Sequence, residues 1–239
     1  MCGRYSLRRV DISAAALDAT PSFDFEEFSE RGRFNVAPSQ VIPMARVNSR
    51  GQRVLELARW GLIPAWSKTL PKLQPINARA ETLLTSGMFR NVFERRRCLI
   101  PADGFYEWKA MGKKTKQPYF FHFKDDRIFA FAGLWDRWKP DSETEPIETC
   151  TIITTSPNDL VKPIHNRMPA IVDPNDYARW LDPHVPATAV GDVLRPFDAA
   201  EMESFAVSTR VNSAASEGPE LVERETVEKA EKPEEPTLF

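Results

Sequence analysis

Cys2 is the most unusual placement in this chain. Removal of Met1 by an aminopeptidase, favoured by the small second residue, leaves an α-amine and a thiol on one residue. Such a 1,2-aminothiol does what no internal cysteine can. Its amine condenses with an aldehyde to an imine, and the sulfur then closes a five-membered thiazolidine ring. An α-amino group is less basic than a lysine, so more of it is neutral and nucleophilic near pH 7. Gly3 permits close approach, and Arg4 beside it is an anion contact in waiting. Without a pocket around it, position two is only an accident of the N-terminus.

Four further segments combine residue types that chemistry uses. Arg59-Trp60-Gly61-Leu62-Ile63-Pro64-Ala65-Trp66 sets two tryptophans around a glycine-proline turn, with Trp60 read as core. Asn77-Ala78-Arg79-Ala80-Glu81-Thr82 offers an amide to orient a reacting group and a guanidinium to clasp a phosphate; helix capping is the plainer reading. Pro101-Ala102-Asp103-Gly104-Phe105-Tyr106-Glu107-Trp108 sets Glu107 between aromatics, where a carboxyl stays protonated longer and can donate a proton. A strand with Glu107 on its polar face is the alternative. His165-Asn166-Arg167-Met168-Pro169 places an imidazole, more often structural than catalytic, beside an arginine.

These side chains need a scaffold, and the remaining sequence describes one. β-branched and aromatic runs predict strands at 54–60, 97–100, 119–123, 128–135, 149–155 and 205–208, with 109–117 as a polar connection. Leu84, Met88 and Val92 repeat every four residues and predict an amphipathic helix over 81–94. Ser156-Pro157 and Asp173-Pro174 read as helix starts. Strands dominate without βαβ alternation, so the expectation is one α+β domain on a twisted, mostly antiparallel, barrel-like sheet with peripheral helices.

The chain has 239 residues, 42% hydrophobic and 28% charged, with a formal net charge of -2. No run approaches the ~20 apolar residues of a membrane span, and the start lacks a secretory signal. Cysteines 2, 98 and 150 leave an odd thiol and no CxxC, so the expected compartment is a reducing cytoplasm; Cys98 and Cys150 read as core. No ligand spacing predicts a metal, and no glycine-rich loop predicts a nucleotide cofactor. From Glu217 to Phe239 the net charge is -5, and the other 216 residues carry +3. The expected division is therefore a folded domain over 1–216 and a disordered acidic tail over 217–239. Arg95-Arg96-Arg97 and the lysines at 109, 113, 114 and 116 read as solvated surface.

Met-Cys-Gly-Arg at the start, Asn77-Ala-Arg-Ala-Glu81, Gly104-Phe-Tyr-Glu-Trp108 and His165-Asn-Arg-Met-Pro169 occur in an order that resembles the SRAP family, the SOS response-associated peptidase-like proteins. The resemblance covers roughly residues 2–210. It implies recognition of abasic sites in single-stranded DNA, with Cys2 linking to C1′ of the ring-opened sugar as a thiazolidine that shields the lesion. By position in the motifs, Asn77 would hold the Cys2 amine, Glu107 would shuttle protons, and His165 would act on the deoxyribose, including β-elimination in a lyase side reaction. Arg4, Arg79 and Arg167 lie within these motifs and are phosphate-contact candidates. Trp66 and Trp108 are the stacking candidates, each stacked base being worth roughly 1–3 kcal/mol.

Two other readings compete. One is a cysteine peptidase or hydrolase with Cys2 as nucleophile and His165 as base, in keeping with the family label. The other is a single-stranded DNA-binding module without chemistry. The terminal Leu238-Phe239 raises a sliding clamp as a further partner, and the expected protein is a monomer that associates with the nucleoid when bound to DNA.

Overall fold

Aromatic residues alternate with alanine at the start of one long strand, Phe129–Trp138, and the rest of the fold assembles on either side of it. The computed structural model describes residues 2–24, 28, 33–112 and 115–226. Among these, β1 (Tyr5–Leu7), β2 (Thr20–Pro21), β3 (Arg33–Val36), β4 (Val41–Val47), β5 (Arg53–Trp60), β6 (Asn77–Arg79) and β7 (Arg97–Ala102) come first. They are followed by β8 (Gly104–Ala110), β9 (Lys116–Phe123), β10 (Phe129–Trp138), β11 (Ile147–Thr155), β12 (Met168–Pro169), β13 (Ile171–Val172) and β14 (Met202–Ala206). Strands β5, β4, β7, β10 and β11 pair in that order, and β11 returns to β5 through the parallel pairs Thr149–Arg59 and Cys150–Trp60. The sheet therefore closes into a ring. A second sheet, in the order β14-β9-β8-β1-β3, packs against it. The protein is a single α+β domain with a mostly antiparallel, barrel-like sheet and a few short helices.

Alternation along the strands creates two cores. Ile42, Met44, Ala58, Trp60, Cys98, Ile100, Phe131, Cys150 and Ile152 fill one, together with Cys2, Tyr5 and Phe105 from the second sheet. Leu55, Leu99, Ala132, Leu134 and Ile153 face the other way and are covered by the helix Tyr177–Leu181 through Trp180. Gly133 has no room for a side chain: a Cβ there would meet Cys98 Sγ at 2.8 Å. Gly104 is tighter still, with the Phe120 ring occupying the place a Cβ would take.

The strands expected from composition are all present, and Asp173 caps its helix start by accepting from Asn175 N. Three expectations change. The 81–94 segment is not one helix: a 3-10 turn spans Ala80–Thr82 and a helix spans Arg90–Arg95. Ser86 Oγ accepts from Phe89 N, which starts a new helical turn beside Gly87, and Leu84 is left 45% exposed. The helix expected to start at Ser156-Pro157 does not form: residues 159–164 are turns, opened by Asn158 Oδ1 accepting from Val161 N and interrupted by Pro163. Arg97 is buried, not solvated; its guanidinium donates to the backbone carbonyls of Phe93, Glu94, Trp180, Asp182 and Val185 and ties the two helices to β7.

The segment 217–226 also packs on the domain. Leu221 is fully buried, Glu217 accepts from Phe34 N, and Glu225 N donates to Ala206 O. One buried leucine, the Glu217 side chain and one backbone hydrogen bond anchor the first ten residues of a segment whose charge and low hydrophobicity read as tail. Met1, Lys113, Lys114 and residues 227–239, with the Leu238-Phe239 end read as a clamp contact, lie outside the described residues. No helix among the described residues is long and apolar enough to cross a membrane, and no cluster of three His, Cys, Asp or Glu among them could hold a metal ion.

Candidate active site around Cys2

Pairing of β1 with β8 decides where Cys2 goes. Tyr5 lies opposite Phe105, and Tyr106 N donates to Arg4 O, so the segment ahead of β1 runs alongside the strand that carries Glu107. Tyr5 anchors that segment in the core with its ring 5.5 Å from Trp60 and 5.7 Å from Phe131. Cys2 is carried with it to 0% exposure, its thiol 3.9 Å from Arg4 O. Burial pushes the thiol pKa far up, and the neighbouring charge of Glu107 adds to the rise.

Strand alternation also explains the buried carboxyl. Phe105 joins the core that holds Cys2, whereas Tyr106 and Trp108 pack with Phe120 and Val207 on the opposite face. Glu107 follows Phe105 by two residues, so it points inward and is 2% exposed. Burial pushes its pKa up to about 7. Lys116, across the β8–β9 hairpin, pulls in the other direction with its positive charge.

His165 reaches the same place from the turn before β12. Its Nδ1 lies 3.8 Å from Glu107 Oε2 and 3.1 Å from both the backbone N and O of Arg167. Burial lowers its pKa, which keeps the ring neutral at pH 7. Asn77 opens β6, held parallel to β11 by the Ile152–Asn77 pair. Its Nδ2 donates to Ile76 O, and its Oδ1 is buried with no hydrogen-bond partner among the described residues. Ile76 packs against the core that includes Cys2, and Ile76 O also accepts from Trp60 Nε1.

The arginine and tryptophan candidates divide. Arg4 donates to Gly3 O and Asn212 O, and Trp108 Nε1 donates to Asn212 Oδ1, so these two side chains share one anchor next to Glu107. Arg79 is exposed two residues beyond Asn77. Arg167 is committed: it forks onto Glu81 at 2.6 and 2.9 Å and donates to Thr154 O at 2.6 Å. Trp66 stands apart from this group, 67% exposed, on a cleft with Arg90, Arg95, Arg96 and Asp136. Trp60 is core, as expected. Asn212 and Glu81 are functional neighbours that sequence reasoning misses, and Lys116 reads there only as solvated surface. Tyr119, the direct cross-strand partner of Glu107, was read only as strand. Nothing local marks Asn212, whose contacts are more than 100 residues distant. Glu81 stood inside a singled-out motif and was detectable there as a carboxylate beside arginines.

A buried thiol near the chain start, a carboxyl titrating near neutrality and a neutral imidazole, all carried by one barrel-like sheet system, define an α+β protein with a candidate covalent centre. Comparison with known proteins narrows this. The family model of the SOS response associated peptidase (SRAP) matches residues 1–214. The abasic site processing protein YoqW of Bacillus subtilis (strain 168) is 42% identical over 230 residues, covering 93% of this chain and 99% of that protein. The abasic site processing protein HMCES of Gallus gallus is 35% identical over 196 residues, covering 72% of this chain and 57% of that protein. A crystal structure of a Bacteroides thetaiotaomicron protein superposes with a TM-score of 0.84 at 28% identity, covering 94% of this chain and all of that one. The chain belongs to the SRAP family.

Proposed function

We propose that this protein processes abasic sites in single-stranded DNA by forming a thiazolidine link through Cys2 after loss of Met1. The observation that carries the reading is the burial of Cys2 beside Glu107, in a core that Asn77 and His165 border. The names of the relatives support abasic DNA as the substrate class.

The steps follow from the groups present. An abasic deoxyribose opens to an aldehyde at C1′. The neutral α-amine of Cys2 attacks that carbon, and water leaves to give an imine. The sulfur then adds to the same carbon while the thiol proton ends on the nitrogen. The link thus forms with net loss of one water. Asn77 Oδ1, buried and without a partner among the described residues, is a fitting acceptor for the amine N–H. Glu107, with a pKa of about 7, can give a proton to the departing oxygen and take one from the thiol. His165, neutral at pH 7, is the base for the sugar and for elimination at its 3′ side. Arg4 and Arg79 contact phosphates beside the lesion, and Arg167 does so if it leaves Glu81. Trp108 stacks a neighbouring base, and Trp66 is available to a base further from the pocket.

The hydrolase reading fits less well. A cysteine nucleophile needs a thiolate, favoured by a nearby cation or imidazolium, whereas burial and Glu107 both push this thiol up. The test is incubation with a single-stranded oligonucleotide bearing one abasic site, followed by a denaturing gel. Wild type shifts to a stable adduct and Cys2→Ala does not; an equal shift with Cys2→Ala refutes the proposal.

A further inference from the structure

Resting on the crosslinking reading, we propose that Asn212 is a positioning residue for that reaction. From a strap outside the sheet it fixes Trp108 and Arg4, and through Arg4 the peptide that follows Cys2.

A nucleophile reacts well only when held near its attack geometry, and a displacement of about 1 Å can cost 10²-fold in rate. The strands alone give the chain start little such restraint. Residues 2–4 lie ahead of the ladder pairs of β1, which begin at Tyr5. The Arg4 side chain bridges the gap. Its Nη1 donates to Gly3 O at 3.2 Å and its Nη2 to Asn212 O at 3.3 Å. The side-chain Oδ1 of Asn212 accepts from Trp108 Nε1 at 2.7 Å, which fixes the indole of the residue next to Glu107. One residue thus ties together a neighbour of Cys2 and a neighbour of Glu107.

The strap is rigid where Asn212 sits. A 3-10 turn spans Thr209–Asn212, opened by Ser208 Oγ accepting from Arg210 N. Asn35 is fully buried and donates from Nδ2 to Val211 O, Ser213 O and Ser216 O, so the carbonyls on both sides of Asn212 are pinned. Val211 is buried in the cluster of Tyr106 and Phe120. Asn212 itself is exposed, so its side chain adds nothing to the core. Its contacts are what it offers. Both acceptors of Arg4 are uncharged carbonyls, and Arg4 forms no ion pair among the described residues. The guanidinium is aimed without being neutralised, unlike that of Arg167, which is paired with Glu81. Because Arg4 binds the backbone oxygen, loss of the Asn212 side chain acts by releasing Trp108 and letting that peptide turn.

The test is single-turnover crosslinking of an oligonucleotide with one abasic site, followed over a range of strand concentrations. Asn212→Ala should lower the maximal rate about tenfold, the worth of one hydrogen bond, with a smaller change in the half-saturating concentration. Trp108→Phe keeps a ring but removes the indole donor, and should cost a similar factor. The double variant should be no slower than the slower single one, because both changes remove the same bond. Independent effects would multiply to about a hundredfold and overturn the proposal. Val211→Ala is the structural control, since it loosens the strap but leaves Asn212 in place. It should lower the urea midpoint while keeping a rate within about threefold of wild type. A Val211→Ala rate as slow as that of Asn212→Ala would overturn the proposal by tracing the loss to strap stability. So would an Asn212→Ala rate equal to that of wild type. If wild type itself forms no adduct, the crosslinking reading falls and the role of Asn212 falls with it.

Discussion

Asp103 and Glu107 lie four residues apart in one short motif, and the fold treats them in opposite ways. Asp103 is fully buried and accepts from Ser6 Oγ, Arg8 N, Arg8 Nε and Arg9 N, with Arg8 also as its ion-pair partner. Glu107 is buried nearly as deeply, but its neighbours include a thiol and a neutral imidazole, desolvation outweighs the Trp108 backbone hydrogen bond and the Lys116 charge, and its pKa climbs to about 7. A buried carboxylate supplied with several donors is structure, since each charge-assisted bond offsets its desolvation. A buried carboxyl whose proton is held near neutral pH is free to move that proton. The partners, and not the residue type, separate the two roles.

The sharpest way to break this contrast is to exchange each carboxyl for a neutral group. Glu107→Gln should slow crosslinking by about 10²–10⁴, the usual worth of a positioned acid–base group, as measured by single-turnover adduct formation. A rate within a factor of three of wild type would remove Glu107 from the chemistry. Asp103→Ala should instead cost about 3–5 kcal/mol of stability, because it strands Arg8 and several donors. Urea unfolding reads this directly, and a loss below about 1 kcal/mol would mean that the donors find other partners.

Acidity gives a finer cut. Because the folded pKa of Glu107 lies above its unfolded value, the stability it contributes is full below about pH 4.5 and is lost as pH rises through about 7. Glu107→Gln escapes that loss. The variant should gain about 2–3 kcal/mol on wild type between pH 4.5 and pH 8. A gap that does not change with pH would contradict the shifted pKa. The smallest effect belongs to Asn77→Ala, which should slow imine formation about tenfold, in line with the ~1.4 kcal/mol of one hydrogen bond. No change in that step would leave the buried Oδ1 without a role in it.

Much of this was legible before any coordinates. Strand runs such as 128–135 and 149–155 announce themselves because both faces of β10 and β11 are buried, which enriches them in apolar residues. The Cys2, Asn77, Glu107 and His165 segments were conspicuous because reactive residue types sat among glycine, proline and aromatics. What escaped depends on distant partners. Arg97 looks like part of a basic surface run until Val185 O, 88 residues away, accepts a hydrogen bond from its guanidinium. Leu221 looks like tail until its socket forms. The 81–94 pattern has helical spacing, yet Ser86 and Gly87 interrupt it locally. That break was readable and outweighs a three-residue periodicity. Trp66 was legible as an aromatic but not as one set apart from Cys2, because its position comes from Asp136 and Trp138 on another strand.

The central claim is that the nitrogen and sulfur of Cys2 together capture a ring-opened sugar. Intact-mass analysis of the product with a single-abasic oligonucleotide tests it most directly. The account predicts one adduct whose mass equals the chain without Met1 plus the strand less one water. An adduct formed in full yield by a chain that still carries Met1 would contradict it.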